Sequence, residues 1–410
     1  MASHGIPRTA PAAAKSDAGR LKELKSIEEY QQLVKLIESK IREGQYTTES
    51  FDLTSRLLKL NPEYYTIWNE RRRILLRGFF PPPASPPSED GISKRQQVIG
   101  DLIQSELSFL IPLLRKFPKC YWIWNHRLWL LEQATVQLST AAARGLWEAE
   151  LGLVGKMLVL DSRNFHGWGY RRMVVDKLES APLCPPPQDD SGETEGSTGR
   201  SMAEAEFQYT TKMVETNLSN FSAWHYRSKL TPRLLQERQA DGEARRAFLA
   251  HELETILTAL YTDPFDQSVW FYHAWLMSTI LPPPASASSS SSSSASSGAK
   301  SIVTNLTAHE RAALLRTEIQ KLTDLLEVAD DCKWIYEALI RYSLVVREME
   351  TSDRSRAETT QPHDRVAGGE EVPSTGETLL AWLATLRALD PLRRGRWDDL
   401  EASIGTTFGF

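Results

Sequence analysis

Few residues in this 410-residue chain are arranged for chemistry. The eight histidines are scattered, and no Gly-rich phosphate loop, H-E-x-x-H or G-x-S-x-G occurs. Cys120, Cys184 and Cys332 lie far apart without C-x-x-C spacing. That pattern suits neither a zinc site nor a disulfide framework and fits a reducing cytosol. A metal or nucleophile site within this chain is therefore not expected. What the sequence does offer is basic and aromatic residues at fixed distances from tryptophan. The stretch Phe117-Pro118-Lys119-Cys120-Tyr121-Trp122-Ile123-Trp124-Asn125-His126-Arg127 is one copy of that pattern. In such a copy a half-buried arginine three residues after the tryptophan needs a carboxylate or carbonyl partner from the next element. Lys119 is different, because the corresponding residues of the other copies are Glu63, Arg163, Ser219 and Phe265. On its own it reads as a solvated lysine at a turn.

Five anchors define the repeat: Trp68, Trp124, Trp168, Trp224 and Trp270. Three residues before them stand Tyr65, Tyr121, Phe165 and Phe221, with Gln267 the exception. Three residues after them stand Arg71, Arg127, Arg171, Arg227 and His273. Asn61, Asp161, Asn217 and Asp263 lie seven before, with Phe117 in the second copy. Chance does not align four columns across five segments. Apolar residues at helical spacing precede each anchor, so the pattern predicts helical hairpins. The fold class is all-α, a stack of such hairpins. The aromatic residue and the tryptophan fall one turn apart on one face and are expected to wedge together between hairpins. Asn164, Asn220 and Asp266 are expected to cap their second helices.

Residues 1–20 read as a disordered leader and 21–400 as the repeat domain. Its Trp-centred segments fall near 61–77, 117–131, 161–175, 217–230 and 263–277. A degenerate sixth near 327–347 is built around Trp334, with its columns drifted. Low-complexity inserts at 81–93, 182–201, 282–300 and 351–375 lack the apolar residues to fold. The formal net charge of -5 excludes a nucleic-acid binder that relies on bulk basicity. No apolar run has the roughly 20 residues a membrane span needs. No secretory signal is visible, so a cytoplasmic location is expected.

The N/D-P-x-x-Y-x-x-W-x-x-R signature resembles that of the α subunits of protein prenyltransferases. The resemblance covers about residues 21–400. It implies a right-handed superhelix of stacked hairpins wrapped around a β subunit. Within the family the chain looks most like the Rab geranylgeranyltransferase (type II) branch. His4-Gly5, Cys332-Lys333-Trp334, and Leu386 to Pro391 running into Trp397-Asp398-Asp399-Leu400 carry that likeness. Neither an immunoglobulin-like domain nor leucine-rich repeats are visible, which resembles the compact fungal form.

That resemblance implies an enzyme that is active only as a heterodimer. It would transfer geranylgeranyl from its diphosphate, held at the subunit interface, to C-terminal cysteines of Rab GTPases presented by an escort protein. The family's P-K-x-Y lysine falls on Lys119, with Tyr121 beside it. Its N-Y-H-x-W segment reads Asn164-Phe165-His166-Gly167-Trp168, so His166 carries over and the tyrosine hydroxyl is lost. Lys119 would stabilise the departing diphosphate, and Tyr121 and His166 would donate hydrogen bonds. Tyr121 also belongs to a repeat column that packing alone can explain. The resemblance places zinc in the β subunit and no cofactor in this chain, with His4 as a conceivable ligand of the partner's zinc. The alternatives are the α subunit shared by farnesyltransferase and type I geranylgeranyltransferase, and a helical-repeat scaffold without catalysis.

Overall fold

In a computed structural model, described over residues 16–82, 88–184, 201–281, 302–303, 306–360 and 375–409, every regular element is helical. Residues Met1–Ser201 form one unit and Met202–Phe410 another. The first holds α1 (Asp17–Arg42), α2 (Thr48–Leu60), α3 (Tyr65–Ile74), α4 (Glu89–Lys116), α5 (Tyr121–Gln137), α6 (Thr140–Leu160) and α7 (Phe165–Glu179). The second holds α8 (Ala203–Thr216), α9 (Phe221–Glu237), α10 (Gly242–Thr262), α11 (Gln267–Ser278), α12 (Ala308–Leu325), α13 (Lys333–Thr360), α14 (Gly376–Leu389) and α15 (Arg394–Phe408). The hairpins are α2/α3, α4/α5 and α6/α7 in one unit, and α8/α9, α10/α11 and α12/α13 in the other.

The tryptophans lock the turns. All five are buried. Each indole Nε1–H donates to the carbonyl six residues earlier, at 2.8 Å on Pro62, 2.9 Å on Pro118, 2.8 Å on Ser162, 2.8 Å on Leu218 and 2.7 Å on Pro264. A buried indole needs such a partner. Three of these carbonyls also receive a donor from the next hairpin: Pro62 from Cys120 Sγ at 3.5 Å, Pro118 from Asn164 Nδ2 at 2.9 Å, and Pro264 from Cys332 Sγ at 3.0 Å. One oxygen thus ties its own hairpin to the following one. Burial pushes the Cys120 thiol up to about 11, so it stays protonated and able to donate at neutral pH. The expected caps form: Asn164, Asn220 and Asp266 accept backbone N–H groups of α7, α9 and α11.

The arginine column finds its carboxylates eighteen residues before the next anchor. Arg71 donates from Nε and Nη2 to Glu106 at 2.5 and 2.8 Å. Arg127 forks onto Glu150 at 2.7 and 2.6 Å, and Arg227 onto Glu252 at 2.8 and 2.6 Å. A donor from the carboxylate's own hairpin completes each clamp: His126 Nε2 on Glu106 at 3.2 Å, Tyr170 on Glu150 at 2.7 Å and Tyr272 on Glu252 at 2.6 Å. In the fifth hairpin His273 takes the arginine's place and meets Glu318 at 2.8 Å. Arg171 is buried in the same column. Buried charges are tolerated here because the fork satisfies both oxygens.

Several expectations change. The aromatic column wedges between hairpins only in part: Tyr65 lies 5.4 Å from the Trp122 ring and Phe221 5.7 Å from the Phe271 ring of the next hairpin, yet the column stays at the rim. Tyr65, Tyr121, Phe165 and Phe221 are 48–67% exposed, because each is the first residue of its helix, where the chain still lies at the rim. The sixth hairpin is anchored by Tyr336, not Trp334. Tyr336 donates its hydroxyl to the Asp330 carbonyl six residues back at 2.7 Å, and Cys332 and Glu318 then fall into the columns of Cys120 and Glu106. A tyrosine replaces the tryptophan, and Ala329, Lys333 and Leu339 stand where the Asx, aromatic and basic columns would be, so this copy is degenerate. Helix α1 begins inside the expected 1–20 leader, with Ser16 as its cap, and residues 1–15 lie outside the described residues. The 81–93 insert ends early, because Ser88 caps α4 with Glu89 and Asp90 in its first turn. Residues 351–360 of the 351–375 insert continue α13, and the domain runs past 400 to Phe408. Pro182–Cys184 form a turn at the start of the 182–201 insert. The 282–300 insert lies outside the described residues.

Two predictions follow from the clamps. Glu150→Ala strands Arg127 without its carboxylate and should cost about 3–5 kcal/mol in denaturant unfolding. The second concerns acid. Burial holds the His126 imidazole down to about 4, against the opposing pull of Glu106. Burial alone would raise the Glu106 carboxyl, but the His126 hydrogen bond and the Arg71 guanidinium hold it down to about 2. Below pH ~6.5 the unfolded histidine takes up a proton that the folded one refuses, so stability falls from pH ~6.5 towards ~4. The Glu106 contribution is present above its unfolded value and is lost as pH falls towards 2. His126→Gln keeps a donor for Glu106 and an acceptor for Arg72 without titrating. Its acid loss between pH 6.5 and 4 should be smaller than the native chain's by on the order of 3 kcal/mol, measured by urea unfolding across that range.

Candidate functional site

Lys119, Tyr121 and His166 gather where the second and third hairpins turn. Lys119 sits in the turn between α4 and α5, which the Cys120 N–H to Phe117 carbonyl bond closes at 3.0 Å. Tyr121 is the first residue of α5 and His166 the second of α7. Their rings lie 6.3 Å apart. His166 is held by its cap, since its backbone N–H donates to Asn164 Oδ1 at 3.1 Å, and its ring packs 4.0 Å from Phe165. The hydroxyl missing at Phe165 leaves His166 as the polar group of that pair.

The Lys119 ammonium is 3.8 Å from Asp161 Oδ2, and its side chain is 62% exposed. Such a pair is loose and is worth at most about 1 kcal/mol in solvent. A competing anion can therefore draw the ammonium away. The positive ends of the α5 and α7 helix dipoles favour negative charge at this edge. Burial lowers the His166 pKa, with Glu63 opposing, so the imidazole is neutral at pH 7 and can donate from one nitrogen. Asp161 and Glu63 offset much of the local positive charge. Lys119, Tyr121 and His166 thus place potential hydrogen-bond donors along one solvent-open edge.

The remaining predicted residues fall elsewhere. Trp68, Trp124, Trp168, Trp224 and Trp270, with Arg71, Arg127, Arg171 and Arg227, are buried in the hairpins and face no site. His4 lies outside the described residues. Among the described residues no three His, Cys, Asp or Glu side chains gather around a possible metal position. A groove of about 560 Å³ between α10 and α12 contains none of the three site residues. Arg72 and Asn125, which reach towards Tyr121, were missed. Arg72 directly follows a column arginine, and nothing in its spacing marks it.

The chain matches the protein prenyltransferase alpha subunit repeat at residues 47–78, 103–134, 147–178, 203–234 and 249–280. Each match spans one hairpin, from its first helix through its tryptophan helix. The chain is 32% identical over 405 residues to the geranylgeranyl transferase type-2 subunit alpha of Schizosaccharomyces pombe, covering 98% of both chains. It is 35% identical over 274 residues to the Saccharomyces cerevisiae protein of that name, covering 67% of this chain and 72% of the relative. Among solved structures, Candida albicans protein geranylgeranyltransferase-I complexed with GGPP matches with a TM-score of 0.51 at 16% identity, over 92% of this chain and 91% of that one. That likeness concerns the fold. The repeats and the full-length similarity agree: the chain belongs to the geranylgeranyl transferase type-2 α-subunit family of protein prenyltransferases.

Proposed function

We propose that this α subunit completes a geranylgeranyl diphosphate site with a β subunit, and that the enzyme prenylates C-terminal cysteines of Rab GTPases delivered by an escort protein in the cytoplasm. The single observation that carries the reading is the half-site itself. Lys119, Tyr121 and His166 stand together on a solvent-open edge at two helix starts.

In the reaction the substrate thiolate forms a bond to the first carbon of the isoprenoid. The bond from that carbon to the diphosphate oxygen breaks, and negative charge grows on the leaving group. Lys119 supplies a mobile ammonium to that charge. Tyr121 and His166 donate hydrogen bonds from fixed helix positions, which need little reorganisation as charge develops. In this reading zinc held by the β subunit would activate the substrate thiol. The His4 segment is a candidate arm towards that metal, since a neutral imidazole can ligate it.

The test is transfer by the assembled heterodimer. Lys119→Ala should slow geranylgeranyl transfer by about 10²–10³, as loss of one such donor does in comparable sites, while gel filtration shows the heterodimer intact. Native turnover by the assembled variant would overturn the assignment. Supplying a C-a-a-X peptide in place of the Rab–escort complex separates the type-2 reading from the shared α subunit of the C-a-a-X enzymes. A chain that recruits no β subunit and no lipid diphosphate would be a scaffold.

A further inference from the structure

Tyr121 has a neighbour that the repeat columns do not account for. Asn125, one turn along α5, places its Nδ2 3.4 Å from the Tyr121 hydroxyl oxygen. A side-chain amide can turn either end towards such an oxygen. Here the choice is made from the other side. Arg72 of α3 donates from Nη2 to Asn125 Oδ1 at 2.7 Å and to the Asn125 carbonyl at 3.1 Å. A guanidinium has no acceptor, so Oδ1 must face it and the amide NH₂ must face the phenol. Arg72 is held in turn. Its Nε donates to His126 Nδ1 at 3.3 Å, and its guanidinium lies 5.4 Å from the Trp129 ring centre.

The spacing alone does not produce this arrangement. Tyr65 and Asn69 stand in the same two columns of the first hairpin. Among the described residues Asn69 makes no hydrogen bond to Tyr65. Among the described residues no arginine is hydrogen-bonded to Asn69 as Arg72 is to Asn125.

We propose that Asn125 is a positioning residue that sets Tyr121 as a hydrogen-bond donor, with Arg72 fixing which way Asn125 points. The amide fills an acceptor position of the phenol oxygen, which leaves the phenolic proton for the ligand. The proposal rests on the reading of Tyr121 as a donor to the leaving diphosphate. A 3.4 Å contact is long for a hydrogen bond. It should tighten once an anion engages the phenolic proton, because donation makes the oxygen a better acceptor.

Asn125→Asp is the discriminating variant. It keeps an acceptor for Arg72 but turns a carboxylate oxygen to Tyr121, so the phenol donates inward. Turnover of the assembled heterodimer on a Rab–escort substrate would be measured for Asn125→Asp, Tyr121→Phe and the double variant, with KM for geranylgeranyl diphosphate. Asn125→Asp should lower kcat by the same factor as Tyr121→Phe, on the order of tenfold to a hundredfold. KM should move less than kcat, the melting temperature should hold, and the double variant should be no slower than Tyr121→Phe. Should Asn125→Asp not assemble, Arg72→Gln frees the amide to turn. It should then slow the native enzyme but leave the Tyr121→Phe enzyme unchanged. Native kcat in Asn125→Asp beside a slow Tyr121→Phe would overturn the proposal, as would losses that multiply in the double variant. A Tyr121→Phe enzyme with native kcat would remove Tyr121 from the mechanism, and the role of Asn125 with it.

Discussion

A buried carboxylate clamped between two hairpins is the constraint on which the rest depends. Each first helix from the second hairpin onward carries a glutamate inside the protein, at Glu106, Glu150, Glu206, Glu252 and Glu318. Bare, such a charge would be intolerable in that interior. At Glu106, Glu150 and Glu252 a guanidinium from the preceding hairpin and a ring donor from the same hairpin satisfy it together. The geometry leaves little choice of register. A hairpin that slid by one residue would break both halves of the clamp and the indole bond as well. Apolar packing could be satisfied in several registers, whereas a bidentate fork is satisfied in one.

The same constraint fixes the site. Lys119, Tyr121 and His166 lie in or just after turns whose carbonyls are tied to buried tryptophans. The Pro118 carbonyl takes both the Trp124 indole and the Asn164 amide, so the turn that bears Lys119 and the cap that holds His166 share one oxygen. Two adjacent helix starts are thereby brought to one edge. The buried network also reaches the exposed chemistry directly. His126 belongs to the Glu106 clamp and accepts from Arg72, which orients Asn125 against Tyr121. Packing and donor geometry are continuous here.

The hairpins were legible because their signals are local. A proline or an Asx residue at a turn, a helix cap and a periodic apolar face each act within a few residues. The glutamate column was equally regular in the sequence, at eighteen before each anchor from Trp124 onward, and went unnoticed because glutamate is ordinarily read as a solvated face. The sixth hairpin was misread for a related reason. Trp334 carries the repeat's signature residue type, although it is Tyr336 that makes the bond to the turn.

By itself the sequence determined the repeat, the Asx caps of the second helices, the arginines that need partners and the lysine that fits no column. These follow from residue types and from spacing along one helix. Only the tertiary structure decided that the aromatic column is exposed, that Lys119 is loosely paired with Asp161, and that Arg72 orients Asn125 beside Tyr121. Each of these depends on which side chains of one hairpin meet those of the next. Such meetings are set by packing between segments tens of residues apart, and residue spacing along one strand of chain does not encode them.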